Sequence, residues 1–152
     1  MSETKTAPRS FDTATVSGIV GYRLRRAQVA VFQQFMARFA EFGITPAEYS
    51  VLALIGSNAG SKQTEIGDAL GIKRTNFVAL INALEQRGLT ERRQVAGDRR
   101  ANALHLTKAG ADFIARANAV QAAFEAEMVE RLGGPAARNQ LISLLDRLVS
   151  HD

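Results

Sequence analysis

Cysteine is absent from this sequence, and histidine occurs only twice. Without cysteine, a disulfide framework, a thiolate nucleophile and a thiol-based redox sensor are all excluded. His105 and His151 have no partner histidine or cysteine at metal-ligand spacing, so we expect no dedicated metal site. A glycine-rich phosphate loop and a nucleophile in a recognisable motif are missing too. We therefore expect no catalytic residues, no cofactor and no enzymatic activity.

Long apolar runs are also missing. No stretch approaches the roughly 18 apolar residues that a membrane-spanning helix needs. Residues 1–15 are polar and rich in serine and threonine, without the apolar segment of a signal peptide. We expect a flexible N-terminal tail over residues 1–15, no membrane partner and a cytoplasmic location.

What the chain does have is a basic middle section. The formal net charge is +4, and the hydrophobic fraction of 46% is ordinary for a globular protein. Residues 61–110 carry nine basic and five acidic side chains, whereas residues 111–152 carry four and six. A local basic excess of this kind is typical of a surface that binds nucleic acid.

Apolar residues recur at steps of three and four along most of the chain, which predicts a mainly helical protein. Over residues 16–42, a first long helix, two sets of apolar residues follow this spacing, and the widened apolar face suggests packing on two sides. Thr45 and Glu48 form a capping box around Pro46 and begin a second helix. Thr107 begins a long helix that ends at Gly133, and a last helix follows.

Two short helices and a hairpin occupy the basic section. The first helix begins near residues 61–63 and ends at Gly71, and the second runs from about Arg74 to Arg87. A tight glycine turn between them is helix-turn-helix spacing. Residues 90–95 and 102–106 then read as strands around a turn over residues 96–100. The fold class we expect is mainly α with a small β-hairpin wing, the winged helix-turn-helix domain spanning residues 45–106.

Both parts of this domain offer residues that suit DNA. The helix that begins at Arg74 turns a small, nearly uncharged face away from the core, as a helix in the major groove requires. Arginines at a thin hairpin turn suit the minor groove, and an aspartate beside them can fix their rotamers. The alternatives are a patch that packs on another helix, a solvated charged turn, or a winged helix used only for protein contact. The candidate DNA-binding residues are Arg74, Thr75, Asn76, Val78, Ala79, Asn82, Arg92, Arg93, Asp98, Arg99 and Arg100.

Three segments resemble the MarR family of bacterial regulators: QTEIGDALGI at 63–72, LEQRGL at 84–89, and the wing with its following pattern at 97–101 (GDRRA) and 104–110 (LHLTKAG). The resemblance implies a homodimer in which residues 16–44 and 107–152 form a helical dimerisation region. It places the recognition helix on residues 74–87 and the family's wing aspartate and arginine on Asp98 and Arg100. It also implies a regulator, most often a repressor, of a pseudo-palindromic double-stranded DNA operator.

Members of this family typically release DNA when a small aromatic or anionic effector binds. The resemblance puts that effector between the dimerisation region and the winged domain, bordered by Tyr22, Arg23, Arg26, Phe32, Tyr49 and Leu52. Together with Arg25, the two arginines of this set could hold an aromatic carboxylate or the phosphates of a coenzyme A thioester, as in the branch that senses hydroxycinnamoyl-CoA esters. The alternative for these arginines is a solvated face or a contact with the DNA backbone.

Overall fold

The computed structural model describes residues 11–95 and 97–150, with the side chains of residues 98–101 outside the description. Most of the expected N-terminal tail and His151 fall outside the described residues. The chain forms two compact units, one up to Gln34 and one from Phe35 onward. In the described part the elements are α1 (Ala14–Ser17), α2 (Val20–Arg38), α3 (Pro46–Ser57), α4 (Gln63–Ala69), α5 (Arg74–Gln86), β1 (Thr90–Val95), β2 (Asp98–Leu106), α6 (Lys108–Leu132) and α7 (Pro135–Val149).

The first long helix is shorter than predicted and is interrupted near its start. The prediction of one helix over residues 16–42 was wrong, because α1 ends at Ser17 and α2 begins only at Val20. Between them the amide of Ile19 bonds to the carbonyl of Val16 in a tight turn, at 3.0 Å. After Arg38 the chain continues in turns up to Gly43, whose φ of +58° ends them.

One apolar core fills the second unit. The rings of Phe35 and Phe39 are stacked with centroids 3.9 Å apart, and Phe39 and Tyr49 meet edge-on at 5.7 Å. The helix α3 lies at the centre of this core, with Val51, Leu52 and Ile55 fully buried. Other buried members come from α4, α5, β2 and α6, namely Ile66, Phe77, Ile81, Leu84, Leu104, Ile114, Ala117 and Phe124.

The predicted capping box at the start of α3 is confirmed. The hydroxyl of Thr45 accepts a hydrogen bond from the amide of Glu48 at 3.3 Å, and the Glu48 carboxylate accepts one from the amide of Thr45 at 2.7 Å. Two backbone donors that would otherwise lack a partner are satisfied, and Pro46 occupies a position where no donor is needed. The first turn of α3 is therefore fixed by local sequence alone.

The two strands form an antiparallel hairpin directly after α5. Thr90 pairs with Leu106 and Gln94 with Asn102, but Val95 pairs with Asp98, so the register shifts between Gln94 and Val95. The prediction of a turn over residues 96–100 was wrong, since β2 already begins at Asp98. Backbone pairing does not require apolar side chains, so the charged residues 98–100 can belong to a strand although their sequence predicts a turn.

The last two helices follow the prediction closely. Thr107 begins α6, its hydroxyl accepting from the amide of Gly110 at 2.9 Å. Gly133 and Gly134, with φ of +98° and +108°, separate α6 from α7. No residue of α7 is buried. The expected fold class, mainly α with a small hairpin wing, is confirmed.

Candidate nucleic-acid interface

The helix α5 presents the face that the sequence predicted. Phe77, Ile81 and Leu84 are buried in the core. Val78 is half-buried, and the remaining predicted contacts of this helix are exposed: Arg74, Thr75, Asn76, Ala79 and Asn82. An exposed strip of small and amide side chains about two turns long is suited to enter the major groove.

A tight glycine turn joins α4 to this helix. Gly71 has a φ of +61°, which a glycine adopts without strain. The amide of Ile72 bonds to the carbonyl of Gly67 at 3.0 Å. A Cβ at Gly67 would come within 3.3 Å of the Phe77 ring, so the glycine allows the two helices to approach closely.

Basic side chains stand beside the start of α5. Lys62 and Arg74 line an open groove of about 330 Å³ whose other lining residues are Gln63, Thr64, Gly67, Asp68, Ile72, Phe77 and Asn102. Lys73 precedes the helix and is exposed. Within the residues that the structure describes, Lys73 and Arg74 have no ion-pair partner. These cations are therefore available to phosphate groups.

The wing divides into a described and an undescribed part. Asp98, Arg99 and Arg100 belong to β2 by their backbone, but their side chains lie outside the description, so their contribution to DNA binding stays a prediction. Arg93 is exposed on β1, and its Nε donates to Glu91 at 2.8 Å.

The other arginine of β1 is turned toward the helices. Arg92 donates from Nε to Gln63 at 3.2 Å and from Nη2 to the Asn82 oxygen at 2.8 Å, and its Nη1 pairs with the Glu85 carboxylate. Its side chain is 22% exposed. Sequence reasoning named Arg92 as a DNA contact but did not identify Gln63 and Glu85 as its partners. Asn82 and Glu85 are three residues apart and share a helix face, and this spacing could have suggested that one arginine contacts both. Nothing in the sequence indicates the contact with Gln63.

A second arginine connects α5 to the turn before α3. Arg87 donates from Nη2 to the carbonyl of Phe42 at 2.8 Å and from Nη1 to that of Gly43 at 3.0 Å. Its guanidinium also lies 5.5 Å from the centre of the Phe113 ring. The sequence predicted Arg87 as the end of the helix and gave no sign of this contact.

The predicted effector residues fall in both units of the chain. In the first unit Tyr22 is half-buried, while Arg23, Arg26 and Phe32 are exposed along α2. In the second unit Leu52 is completely buried. Tyr49 donates to the Asn118 side chain at 2.8 Å, and burial raises the pKa of its hydroxyl.

A groove of about 400 Å³ runs between α3 and α6 in the second unit. Small and apolar residues make up most of its wall, with one serine and one asparagine. The lining residues are Ala53, Gly56, Ser57, Leu106, Ala111, Ile114, Ala115 and Asn118. This chemistry suits an aromatic or aliphatic group with one or two hydrogen-bonding atoms.

An ion pair at the other end of α6 was not foreseen. Arg38 donates from Nη1 to Glu127 at 2.7 Å and lies 4.8 Å from the centre of the Phe124 ring. The hydrogen bond from Arg38 lowers the pKa of the Glu127 carboxyl and raises that of the guanidinium.

The described residues contain neither a metal site nor a membrane-spanning helix. In that part of the chain no cluster of histidine, aspartate and glutamate side chains could hold a metal ion. Over the same residues no helix is both long and apolar enough to cross a membrane.

Comparison with known proteins gives consistent matches over almost the whole chain. A family model described as "MarR family" matches residues 42–101. The chain is 34% identical over 139 residues to a protein of Thauera aromatica named "Putative transcriptional regulatory protein for hcr operon", covering 91% of this chain and 83% of that protein.

Two solved structures of one repressor are similar in fold and sequence. The first is "Transcriptional repressor, CouR, bound to a 23-mer DNA duplex", with a TM-score of 0.86, 39% identity, and coverage of 93% of this chain and 100% of that one. The second is the same repressor "bound to p-coumaroyl-CoA", with a TM-score of 0.85, 38% identity, and coverage of 94% and 100%.

The hairpin that follows the helix pair defines a winged helix-turn-helix protein. With these matches the assignment becomes specific: the chain belongs to the MarR family of transcriptional regulators. The resemblance noted in the sequence is thereby confirmed. So is the expectation that the chain is a regulator and not an enzyme.

Proposed function

We propose that this protein is a homodimeric transcriptional repressor that binds double-stranded operator DNA and releases it when an aromatic acyl-CoA thioester binds. The observation that carries the proposal is the similarity, over more than nine-tenths of the chain, to a repressor solved with a DNA duplex and with p-coumaroyl-CoA. The sequence left two effector classes open, an aromatic carboxylate and a hydroxycinnamoyl-CoA ester, and of these we propose the ester.

The DNA-binding half of the proposal is supported by the surface of α5. Its outward side chains are exposed, and Lys73 and Arg74 at its start have no internal ion pair in the part of the chain that is described. Direct contact between cations and phosphates releases counterions, so DNA affinity should fall steeply with added salt.

The effector half is supported by the charge of α2. Residues 13–40 contain four arginines and no acidic residue, and Arg23, Arg25 and Arg26 are all exposed. A coenzyme A thioester carries several phosphate charges, whereas a free hydroxycinnamic acid carries one carboxylate. Two guanidinium groups on one face of α2, those of Arg23 and Arg26, suit the first ligand better than the second.

The dimer is supported by apolar side chains that stay exposed in the part of the chain that the structure describes. On α7, Leu141, Leu144 and Leu148 are 38%, 47% and 56% exposed. On α2, Val20, Val29, Phe32 and Met36 are exposed as well. Helix faces of this kind are typical of subunit interfaces.

A binding experiment tests both halves. A duplex is selected from a random-sequence library by the wild-type protein, and its affinity is measured by fluorescence anisotropy with increasing salt. p-Coumaroyl-CoA, free p-coumarate and coenzyme A are then added separately. We expect tight salt-dependent binding and release by the thioester alone. Failure to select any duplex would refute the DNA-binding function and favour a winged helix used for protein contact, whereas release by p-coumarate would refute the thioester assignment.

Variants of α2 provide a matched control for the effector. Arg23 and Arg26 are three residues apart and share a helix face, whereas Arg25 points about 100° away from Arg26. Arg23→Ala with Arg26→Ala should raise the thioester concentration needed for release by about tenfold or more. Arg25→Ala should change it little. An effect of Arg25→Ala as large as that of the Arg23→Ala and Arg26→Ala double variant would argue for general electrostatic attraction instead of a specific site.

A further inference from the structure

The two adjacent arginines of β1 differ in what they contact. Arg92 reaches α4 through Gln63 and α5 through Asn82 and Glu85. Arg93 pairs with Glu91, two residues away on its own strand, and is 60% exposed. One guanidinium therefore joins three elements of the winged helix-turn-helix domain, whereas its neighbour joins no other element among the described side chains.

The contact with Arg92 fixes which way the Asn82 carboxamide is turned. A guanidinium donates hydrogen bonds but cannot accept them, so the Asn82 atom that faces Arg92 has to be the oxygen. The NH₂ group of Asn82 has no partner among the residues that the structure describes. Because Asn82 is exposed on the outward face of α5, this NH₂ group is left to an external acceptor.

We propose that Arg92 is a positioning residue that holds α5 against α4 and β1 and orients Asn82 as a hydrogen-bond donor toward DNA. The proposal rests on the proposed DNA-binding function. An asparagine that reads adenine accepts from N6 with its oxygen and donates to N7 with its NH₂ group. The amide oxygen has a second lone pair, so the bond from Arg92 leaves one acceptor site on the oxygen and the whole NH₂ group free to meet DNA. Held in this way, Asn82 presents its NH₂ group to an acceptor such as purine N7 or a phosphate oxygen.

Salt dependence separates a positioning arginine from one that touches phosphate. Loss of a direct phosphate contact lowers the slope of log K against log salt by about 0.9. Arg92→Ala should weaken binding to the selected duplex by about tenfold or more while leaving this slope unchanged. Arg92→Lys should weaken it similarly, because an ammonium cannot replace the planar fork. Arg116→Ala, at an exposed position of α6 outside the predicted DNA contacts, is the control and should leave both the affinity and the slope unchanged.

A double-mutant cycle tests the link to Asn82. Asn82→Ala should cost less affinity in the Arg92→Ala background than in the wild type, because the donor is already misplaced there. Circular dichroism shows which variants are folded. If Arg92→Ala is unfolded, the test relies on Arg92→Lys and on Asn82→Ala, which changes an exposed side chain.

Three results would overturn this inference: full affinity in Arg92→Lys, a reduced salt slope in Arg92→Ala, or additive losses in the double-mutant cycle. Each can be obtained with a wild-type protein that binds its selected duplex normally. Failure of the wild type to prefer any duplex would overturn the proposed function instead, so the two failures are distinguishable.

Discussion

At the scale of single residues, one close contact between α6 and the segment before β1 is possible only because a side chain is missing. Gly110, in the first turn of α6, lies against the backbone of Leu89, just before β1. A Cβ at this position would be 1.9 Å from the Leu89 carbonyl oxygen. That oxygen also accepts from the amide of Thr107 at 3.1 Å, so it cannot shift without disturbing the start of α6.

Gly110→Ala should therefore destabilise the protein even though alanine favours helix. We expect the free energy of unfolding to fall by about 1–3 kcal/mol, the usual range for overpacking, as measured by denaturant titration. Gly56→Ala is the matched control, because a Cβ there would meet only the flexible end of Leu106 at 3.2 Å. Equal stability of the Gly110→Ala variant and the wild type would contradict the packing described.

The ion pair of Arg38 and Glu127 predicts a pH dependence of stability. The Glu127 carboxyl has a pKa lowered from its ordinary value of 4.5 by the hydrogen bond from Arg38. A lowered pKa in the folded state means that the pair stabilises the protein above pH 4.5 and that this contribution is lost as the pH falls through the folded pKa. The Tm of the wild type should exceed that of Glu127→Gln at pH 7, and the two should converge in acid. Glu130→Gln, without an ion pair in the described part of α6, should show no such change.

At the scale of elements, local sequence signals predicted most of the structure. The capping box at Thr45, the glycine after α5 and the cap at Thr107 each determine an end within a few residues of chain, and those ends are where the sequence placed them. The sequence did not predict the break before Val20 or the early start of β2 at Asp98, because neither changes the spacing of the apolar residues. The outward face of α5 followed from helical spacing. The Arg92 and Arg87 contacts did not, since they depend on which elements meet in three dimensions.

The hydroxyl of Thr107 contacts two elements. It caps the start of α6, and it bonds to the backbone just after the end of α5. It accepts from the amide of Gly110 and donates to the carbonyl of Gly88 at 2.6 Å. Thr107→Val preserves the shape but removes both bonds, and should lower the free energy of unfolding by about 1–2 kcal/mol in thermal or denaturant unfolding. Thr107→Ser keeps the hydroxyl and should stay within about 0.5 kcal/mol of the wild type. A larger loss in the serine variant would assign the effect to the methyl group.

At the scale of the whole molecule, the exposed apolar faces of α2 and α7 call for a second subunit. A chain that buries no residue of α7 gains little by folding that helix alone. Burial of Leu141, Leu144 and Leu148 against a partner would supply the missing stabilisation. The N-terminal and C-terminal helices are therefore expected to be least stable when the protein is dilute.

Light scattering after size exclusion should give about twice the subunit mass of 16.4 kDa. Leu144→Glu should shift the mass toward one subunit, because a carboxylate cannot be buried in an apolar interface without a partner. Ser143→Glu, at a neighbouring exposed position of α7, is the control and should remain a dimer. A wild-type mass of one subunit at micromolar concentration would contradict the dimer.

The contact of Arg87 has a consequence for how the sequence can vary. Both of its acceptors are main-chain carbonyls, those of Phe42 and Gly43. A substitution at residue 42 leaves its acceptor in place as long as the turn keeps its shape. Both hydrogen bonds are donated by the Arg87 guanidinium, and no other side chain is long enough and also carries two parallel N–H donors. The attachment of α5 to this turn is thus tolerant of mutation at one end and sensitive to it at the other.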